Sequence, residues 1–269
     1  MLVCMALTTS PQNHWSVPDW PAPRGVRALC TERYGGFSDL PYGTLNLGSH
    51  VGDDEAAVAR NRAVLNDAVV ARPIFLNQVH GTQMLALEAN CSDGLTADGA
   101  FTRTRGLACT VLVADCLPVL LCNRKGTMVA AVHAGWRGLA GSAGNGILEE
   151  VYRCFMPLEP VEHAQSAIEI IAWLGPCIGP QTFEVGADVV TAFARGNPDV
   201  LQHFQPYRDG KWLADLPALA RQRLNVLGIT QVFGNDGSPP WCTVSNPSRF
   251  FSHRRDGVSG RQAACIWLE

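Results

Sequence analysis

The chain has 269 residues, 47% of them hydrophobic and 17% charged, and a formal net charge of −3. That length amply buries a core, and the composition is that of an ordinary globular domain. The charge gives no electrostatic reason to expect nucleic acid or an anionic membrane surface as partner, and no run of roughly 18 to 20 apolar residues suggests a membrane span.

The opening Met1 to Leu7 is apolar, yet it lacks a basic flank and is short for a signal-peptide core, so a cytoplasmic location is expected. Residues 1–24, rich in proline and tryptophan, read as an arm laid over one domain spanning 25–269. Val26 to Thr31 predicts a strand, followed by the turn-rich segments 33–38 and 41–43. Asp53 to Val69 predicts a helix, with acidic residues at its start and Val58, Leu65 and Val69 on one face. Pro73 to Val79 then reads as a strand that delivers His80.

From Gly106 to His133 the pattern is β throughout. Leu107 to Ala114, Pro118 to Cys122 and Thr127 to His133 are apolar at nearly every position, as strands covered on both faces are. A helix is expected from Gly138 to about Phe155, and a buried strand from Ile168 to Leu174. Further helices are expected near Ala187 to Ala194 and from Asp215 to Leu227, the second with Asp215 as N-cap, Pro217 in its first turn and Gly228 as its stop. Ile229 to Phe233 and Ala263 to Leu268 are expected to close the sheet. The fold class is α+β: a single domain with a central β-sandwich of mixed sheets flanked by helices.

Three segments carry the chemistry: Asn77-Gln78-Val79-His80-Gly81, Ala114-Asp115-Cys116-Leu117-Pro118 and Ala131-Val132-His133-Ala134-Gly135-Trp136-Arg137-Gly138. Each sets one imidazole or thiol where an apolar run gives way to a loop. Two histidines and a cysteine complete a three-ligand zinc set with the fourth position open, which points to an enzyme rather than a scaffold. Spacing alone leaves a metal-free Cys-His nucleophile open as well. A closed structural site needs a fourth ligand, and Cys177 is the nearest suspect. Most of the ten cysteines read as buried free thiols of a reducing compartment, with Cys116 and Cys177 set apart by their loops. Gly135, Gly138 and Gly141 around Arg137 suit either an anion at a helix start or a tight connection. Asp115 suits orienting a ligand or capping local backbone. Arg254 and Arg255 with Arg261 form a basic cluster suited to a small anion.

These segments, with Gly175-Pro176-Cys177-Ile178-Gly179, Arg33 to Ser38, Leu45-Asn46-Leu47-Gly48, Asn61-Arg62 and the tail from Phe250 to Leu268, resemble the signatures of the bacterial laccase-domain, or multicopper polyphenol oxidase, family. That family is also described as purine nucleoside phosphorylase, with a peptidoglycan-editing branch. The resemblance implies zinc held by His80, Cys116 and His133, and phosphorolysis of adenosine, inosine, guanosine and methylthioadenosine together with adenosine deamination. It implies nucleoside and phosphate as the small-molecule partners. Phosphate then needs cationic partners, for which Arg62 and Arg254 are the candidates, with Asn46 donating to substrate hydroxyls and Arg137 serving its loop. Glu32 after Thr31 and His253, where tyrosine is common, depart from the family pattern.

Three rivals accompany this reading: a zinc amidase editing peptidoglycan precursors, a copper polyphenol oxidase, and a non-enzymatic zinc-stabilised binding protein. Copper fits less well than zinc because an oxidase needs a larger set of histidines around its cysteine, and the seven here are mostly scattered.

Overall fold

Alternate residues of the apolar runs belong to two different cores, and this organises the whole molecule. The computed structural model describes residues 15–142, 144–156, 169–195 and 197–269. Its elements are β1 (Val26–Cys30), α1 (Glu55–Ala68), β2 (Arg72–Phe75), β3 (Met84–Ala86), β4 (Gly99–Thr102), β5 (Leu107–Val113), β6 (Leu117–Asn123) and β7 (Val129–Ala134). There follow α2 (Trp136–Ala140), α3 (Ile147–Phe155), β8 (Ile170–Leu174), β9 (Glu184–Gly186), α4 (Ala187–Ala194), β10 (Phe204–Arg208), β11 (Lys211–Ala214), α5 (Leu216–Val226), β12 (Gln231–Gly234), α6 (His253–Asp256) and β13 (Gln262–Leu268). The architecture is α+β.

A four-stranded sheet in the order β1-β13-β5-β2 packs on a six-stranded sheet in the order β12-β8-β6-β7-β4-β3. Between them lie Cys109, Val111 and Ile266 from one sheet and Leu120, Val129, Ala131, Ile171 and Trp173 from the other. The intervening residues face outward to helices. Leu112, Ala263 and Cys265 meet Leu65 of α1 and Val69, while Val119, Val132, Ala172 and Leu174 meet α2 to α5. Strands sandwiched in this way need apolar side chains on both faces, which accounts for the unbroken runs at 107–113 and 117–122. A small antiparallel sheet, β10-β11-β9, stands apart from these two.

Helix ends follow their caps. Asp54 accepts from the Ala57 amide at the start of α1, and Asp215 from the Ala218 amide at the start of α5. Val58, Leu65 and Val69 are all buried, as their spacing predicts.

Several expectations need correction. The helix expected over 138–155 is two, α2 and α3, broken at 141–146. Gly141 has φ +64°, and a Cβ there would overlap the Asn145 carbonyl. Arg223 of α5 fills the break by donating to the Leu139 and Gly144 carbonyls. The strand expected over 73–79 stops at Phe75: Asn77 keeps only an isolated bridge to Thr96, and the Val79, His80 and Gly81 amides turn toward the Asp98 side chain. β13 does not close a sheet: it lies between β1 and β5, while β12 forms the far edge of the other sheet, parallel to β8. β3, β4 and β9 to β11 were not anticipated, being only three to five residues long and without clear alternation. Of the expected arm, residues 1–14 lie outside the described residues. From Trp15 on, the chain packs against the four-stranded sheet, with Ser16 bridged to Cys30.

Candidate metal centre

β6 and β7 pair antiparallel with Pro118 opposite His133, which brings Cys116, one residue before β6, beside His133 on β7. The Asp115 backbone has φ +94°, a left-handed turn uncommon for a non-glycine residue, and this turn redirects the chain into Cys116. The Asp115 side chain holds the turn: Oδ1 accepts from the Thr243 hydroxyl at 2.6 Å and Oδ2 from the Arg254 amide at 2.6 Å.

His80 arrives differently. It sits outside any strand, with φ +61°. Three consecutive amides converge on the buried carboxylate of Asp98: Val79 at 3.2 Å, His80 at 2.8 Å and Gly81 at 2.6 Å. Asp98 Oδ1 also lies 2.9 Å from His133 Nδ1, and its carbonyl accepts from the His133 amide at 2.7 Å. With Nδ1 engaged, His133 offers Nε2 to the cluster.

The ligand atoms of His80, Cys116 and His133 lie within 4.8 Å of one another. Cys116 Sγ is 3.7 Å from His80 Nε2, and the two imidazole rings meet edge-on at 4.7 Å. Gly135 keeps this space clear, since a Cβ there would come 2.9 Å from Cys116 Sγ and 3.0 Å from His80 Cδ2. Two imidazole nitrogens and a thiolate at such separations fit a tetrahedral transition metal with one open position. Among the described residues this is the one group of three or more His, Cys, Asp or Glu side chains gathered closely enough to hold a metal.

Burial alone would raise the Cys116 pKa, but the His133 charge and hydrogen bonds from both imidazoles outweigh it and bring the thiol from 9.0 to about 6. Burial likewise works against a charged His133, yet Cys116 and Asp98 raise its pKa to about 9. Burial would also raise Asp98; its bonds from His133, Gly81 and Val79 prevail and hold the carboxyl below its ordinary value.

Cys177 is fully buried and is not among the three gathered ligand residues. Its sulfur accepts from Asn235 Nδ2 at 3.3 Å, and burial pushes its pKa well up.

The three ligand residues line a cavity of about 400 Å³. Its lining includes the apolar side chains of Leu112, Trp136, Ile178, Phe183 and Leu216. It also includes His50, His253, Arg254 and Arg261, with the Arg254 guanidinium 5.6 Å from the Phe183 ring.

Of the three residues expected to touch substrate, Arg254 lines this cavity and the other two do not. Asn46 is fully buried and spends its side chain on the fold, donating to the Gly48 carbonyl and Asp53 while accepting from the Gly48 and Arg261 amides. Arg62 donates to the Leu47 carbonyl at 3.0 Å, stacks 3.9 Å above Phe75 and lines a separate surface depression with Asp93. Asn61 beside it ties Phe37, Ser38 and Asn46 together.

Sequence reasoning missed Asp98, which stands in an unremarkable polar turn, and read Arg261 only as part of a charge cluster. The pairing of Asp98 with His133, 35 residues away, leaves no local signal.

The family described as "Multi-copper polyphenol oxidoreductase laccase" matches residues 27–269. The chain belongs to this laccase-domain family. It is 46% identical over 254 residues to "Purine nucleoside phosphorylase YfiH" of Shigella flexneri, covering 94% of this chain and 98% of that one. It is 44% identical over 258 residues to a Pseudomonas aeruginosa protein also named purine nucleoside phosphorylase, covering 96% and 99%. Among solved structures, a Neisseria meningitidis protein superposes with a TM-score of 0.85 at 44% identity, covering 95% of this chain and 99% of its own. YlmD from Geobacillus stearothermophilus does so with 0.81 at 28% identity, covering 95% and 96%.

Proposed function

We propose that this chain is a zinc-dependent purine nucleoside phosphorylase that also deaminates adenosine. The reading is carried by one observation: a three-member His-Cys-His set lines a cavity together with apolar and cationic side chains, in a chain whose relatives are named purine nucleoside phosphorylase. The volume suits a nucleoside, and adenosine, inosine, guanosine and methylthioadenosine are the proposed substrates.

In phosphorolysis a phosphate oxygen bonds to the anomeric carbon while the bond to the purine nitrogen breaks. The electron pair and then a proton go to the base, leaving ribose 1-phosphate. Positive charge develops on the ribose, so the reaction needs positioned groups more than a strong nucleophile. Phe183, Ile178 and Leu216 offer apolar contacts for a flat heterocycle. His80, Cys116 and His133 would hold the metal, which supplies Lewis acidity toward a substrate atom at its open position. Asp98 keeps His133 Nε2 and the backbone of His80 directed at that point. Asp115 fixes the Cys116 turn and the start of α6, which carries His253 and Arg254 to the cavity.

The decisive experiment incubates the purified, metal-loaded protein with inosine, with and without phosphate, and resolves the products by chromatography. Hypoxanthine and ribose 1-phosphate should form only with phosphate, and ammonia should be released from adenosine. No base release with phosphate present overturns the proposal, and an amino acid released from peptidoglycan precursors supports the amidase instead. The same donor set suits copper, so elemental analysis should find about one zinc per chain; copper with phenol oxidation favours the oxidase. Cys116→Ala should lose the metal and both activities while keeping a cooperative melting transition. The nine described cysteines are all free thiols, which supports a cytoplasmic setting, and no described helix is long and apolar enough to cross a membrane.

A further inference from the structure

The geometry points to an oxyanion subsite where residues 46–50 meet residues 259–261, with the Arg261 guanidinium as its cation and inorganic phosphate as its ligand. The ligand assignment rests on the phosphorolysis reading, whereas the subsite itself rests on the following geometry.

The two segments are built to hold Arg261 in place. Its amide donates to Asn46 Oδ1 at 2.9 Å, the same oxygen that accepts from the Gly48 amide. Gly48 makes room for the arginine stem, since a Cβ there would lie 2.8 Å from Arg261 Cγ. A Cβ on Gly260 would meet the Phe251 ring at 2.6 Å and Asn46 Cβ at 3.0 Å. Neither glycine has a positive φ, so both serve close approach and not turn geometry.

Arg261 Nη1 donates back to the Ser259 and Gly260 carbonyls at 2.7 and 3.0 Å. Among the described residues, its Nε and Nη2 donate to no protein group, and no carboxylate pairs with it. Other partly buried arginines are differently placed. Arg221 is satisfied by the carbonyls of Val232 to Asn235, and Arg223 by Leu139, Gly144 and Glu149. Arg261 instead lines the cavity with two donors to spare.

No carboxylate of the cavity forms an ion pair with it. Asp115 is the one acidic residue among the lining, and its two oxygens are taken by Thr243 and the Arg254 amide. Burial disfavours a charged Arg261, and the nearby Cys116 and Asp115 compensate only in part; the guanidinium still keeps its proton. A partly desolvated cation with free paired donors is a recognition element for a tetrahedral oxyanion, whose oxygens match the guanidinium fork. His50 adds an imidazole to the same lining, carried two residues beyond Gly48. The motif 45–48 thus serves the subsite by shaping it, not by touching its ligand.

Phosphate of two origins meets this chemistry, the free ion and the phosphate of a nucleoside monophosphate, and the test separates them. Arg261→Gln should raise the phosphate KM at least about tenfold, the loss expected of a charge-assisted hydrogen bond, with the nucleoside KM changed by less than about twofold. Arg261→Lys should recover part of the loss, and surface Arg124→Gln should change neither constant. An unchanged phosphate KM in a folded Arg261→Gln protein overturns the proposal.

Should that variant fail to fold, wild-type protein carries the test through arginine modification by phenylglyoxal, read peptide by peptide by mass spectrometry. Saturating phosphate should protect Arg261 and leave Arg124 reactive; equal labelling of Arg261 with and without phosphate overturns the subsite. Protection by adenosine 5′-monophosphate but not by inorganic phosphate overturns the ligand assignment. Protection by phosphate in a protein that releases no base from nucleosides leaves the subsite standing and removes the phosphorolysis reading alone.

Discussion

His133 and His80 reach the same point from opposite kinds of structure. His133 is buried on a central strand, fixed by its ladder to β6 and by Asp98. His80 is exposed, off the sheet and at positive φ, and Asp98 is what gathers its loop. One carboxylate does for a loop what hydrogen-bonded neighbours do for a strand. A candidate metal ligand therefore need not stand on regular structure, provided a buried acceptor collects the amides around it.

Removing that acceptor is the strongest way to break the comparison. Asp98→Ala should release His80 and the His133 ring together. Zinc affinity should fall by about 10- to 100-fold, the range for groups that orient metal ligands, as read by competition with a chromophoric chelator. An unchanged affinity would mean that the loop is held by something else.

The two histidines should next separate on stability. His133→Ala leaves the Asp98 carboxylate buried and short of a partner, costing about 1–3 kcal/mol in the metal-free protein. His80→Ala, at an exposed position, should stay within about 0.5 kcal/mol. Both should lose zinc, and denaturant melts of the metal-free variants separate the cases. Equal losses would erase the distinction between strand and loop.

A smaller effect comes from crowding the site without touching a ligand. Gly135→Ala places a methyl against both Cys116 Sγ and His80 Cδ2, and His80, being loop-borne, is the one able to yield. Zinc should bind several-fold more weakly with stoichiometry preserved; an unaltered dissociation constant would show more slack than the geometry allows.

The subtlest test is pH. In the metal-free protein Cys116 should stay reactive to iodoacetamide down to about pH 6, against 9.0 for an ordinary thiol. A depressed thiol pKa contributes stability that is full above 9.0 and lost as pH falls toward 6. The raised His133 pKa contributes stability that is full below 6.5 and lost as pH climbs to about 9. Over the shared window the folded pair and the unfolded pair each hold one proton, so the slopes cancel. Melting temperature should be nearly flat from about pH 6.5 to 9 so far as this pair is concerned, while thiol reactivity is high throughout. A steep slope that vanishes in a Cys116→Ala protein would contradict the pairing.

Cys116 and His133 were legible together because the runs that carry them are apolar at every position, which marks adjacent central strands. His80 was legible as a motif residue at the end of a strand, but the length of its loop was not, since nothing between Pro73 and Val79 announces that the ladder stops at Phe75. Asp98 was not legible as a site residue, and Arg261 was legible only as one member of a basic cluster suited to a small anion. An aspartate before a glycine reads as a turn, and a cluster of arginines does not say which member faces the cavity, until distant segments are brought against them. Asn46 and Arg62 carried motif signals that reflect how loops are held, because a fully bonded buried asparagine is as position-specific as a catalytic one. The break at 141–146 was hidden because glycines in a helical pattern read as tolerated residues.

The Asn46 to Arg261 hydrogen bond joins residues 215 positions apart, and the two bonds to Asp115 span 128 and 139. Contacts this distant in sequence require large loops to close before they return any stabilisation, which makes them slow to form. A refolding chain will therefore possess helices and local hairpins before it possesses an active pocket. Activity is a property of the finished topology, and no fragment or early intermediate inherits a portion of it.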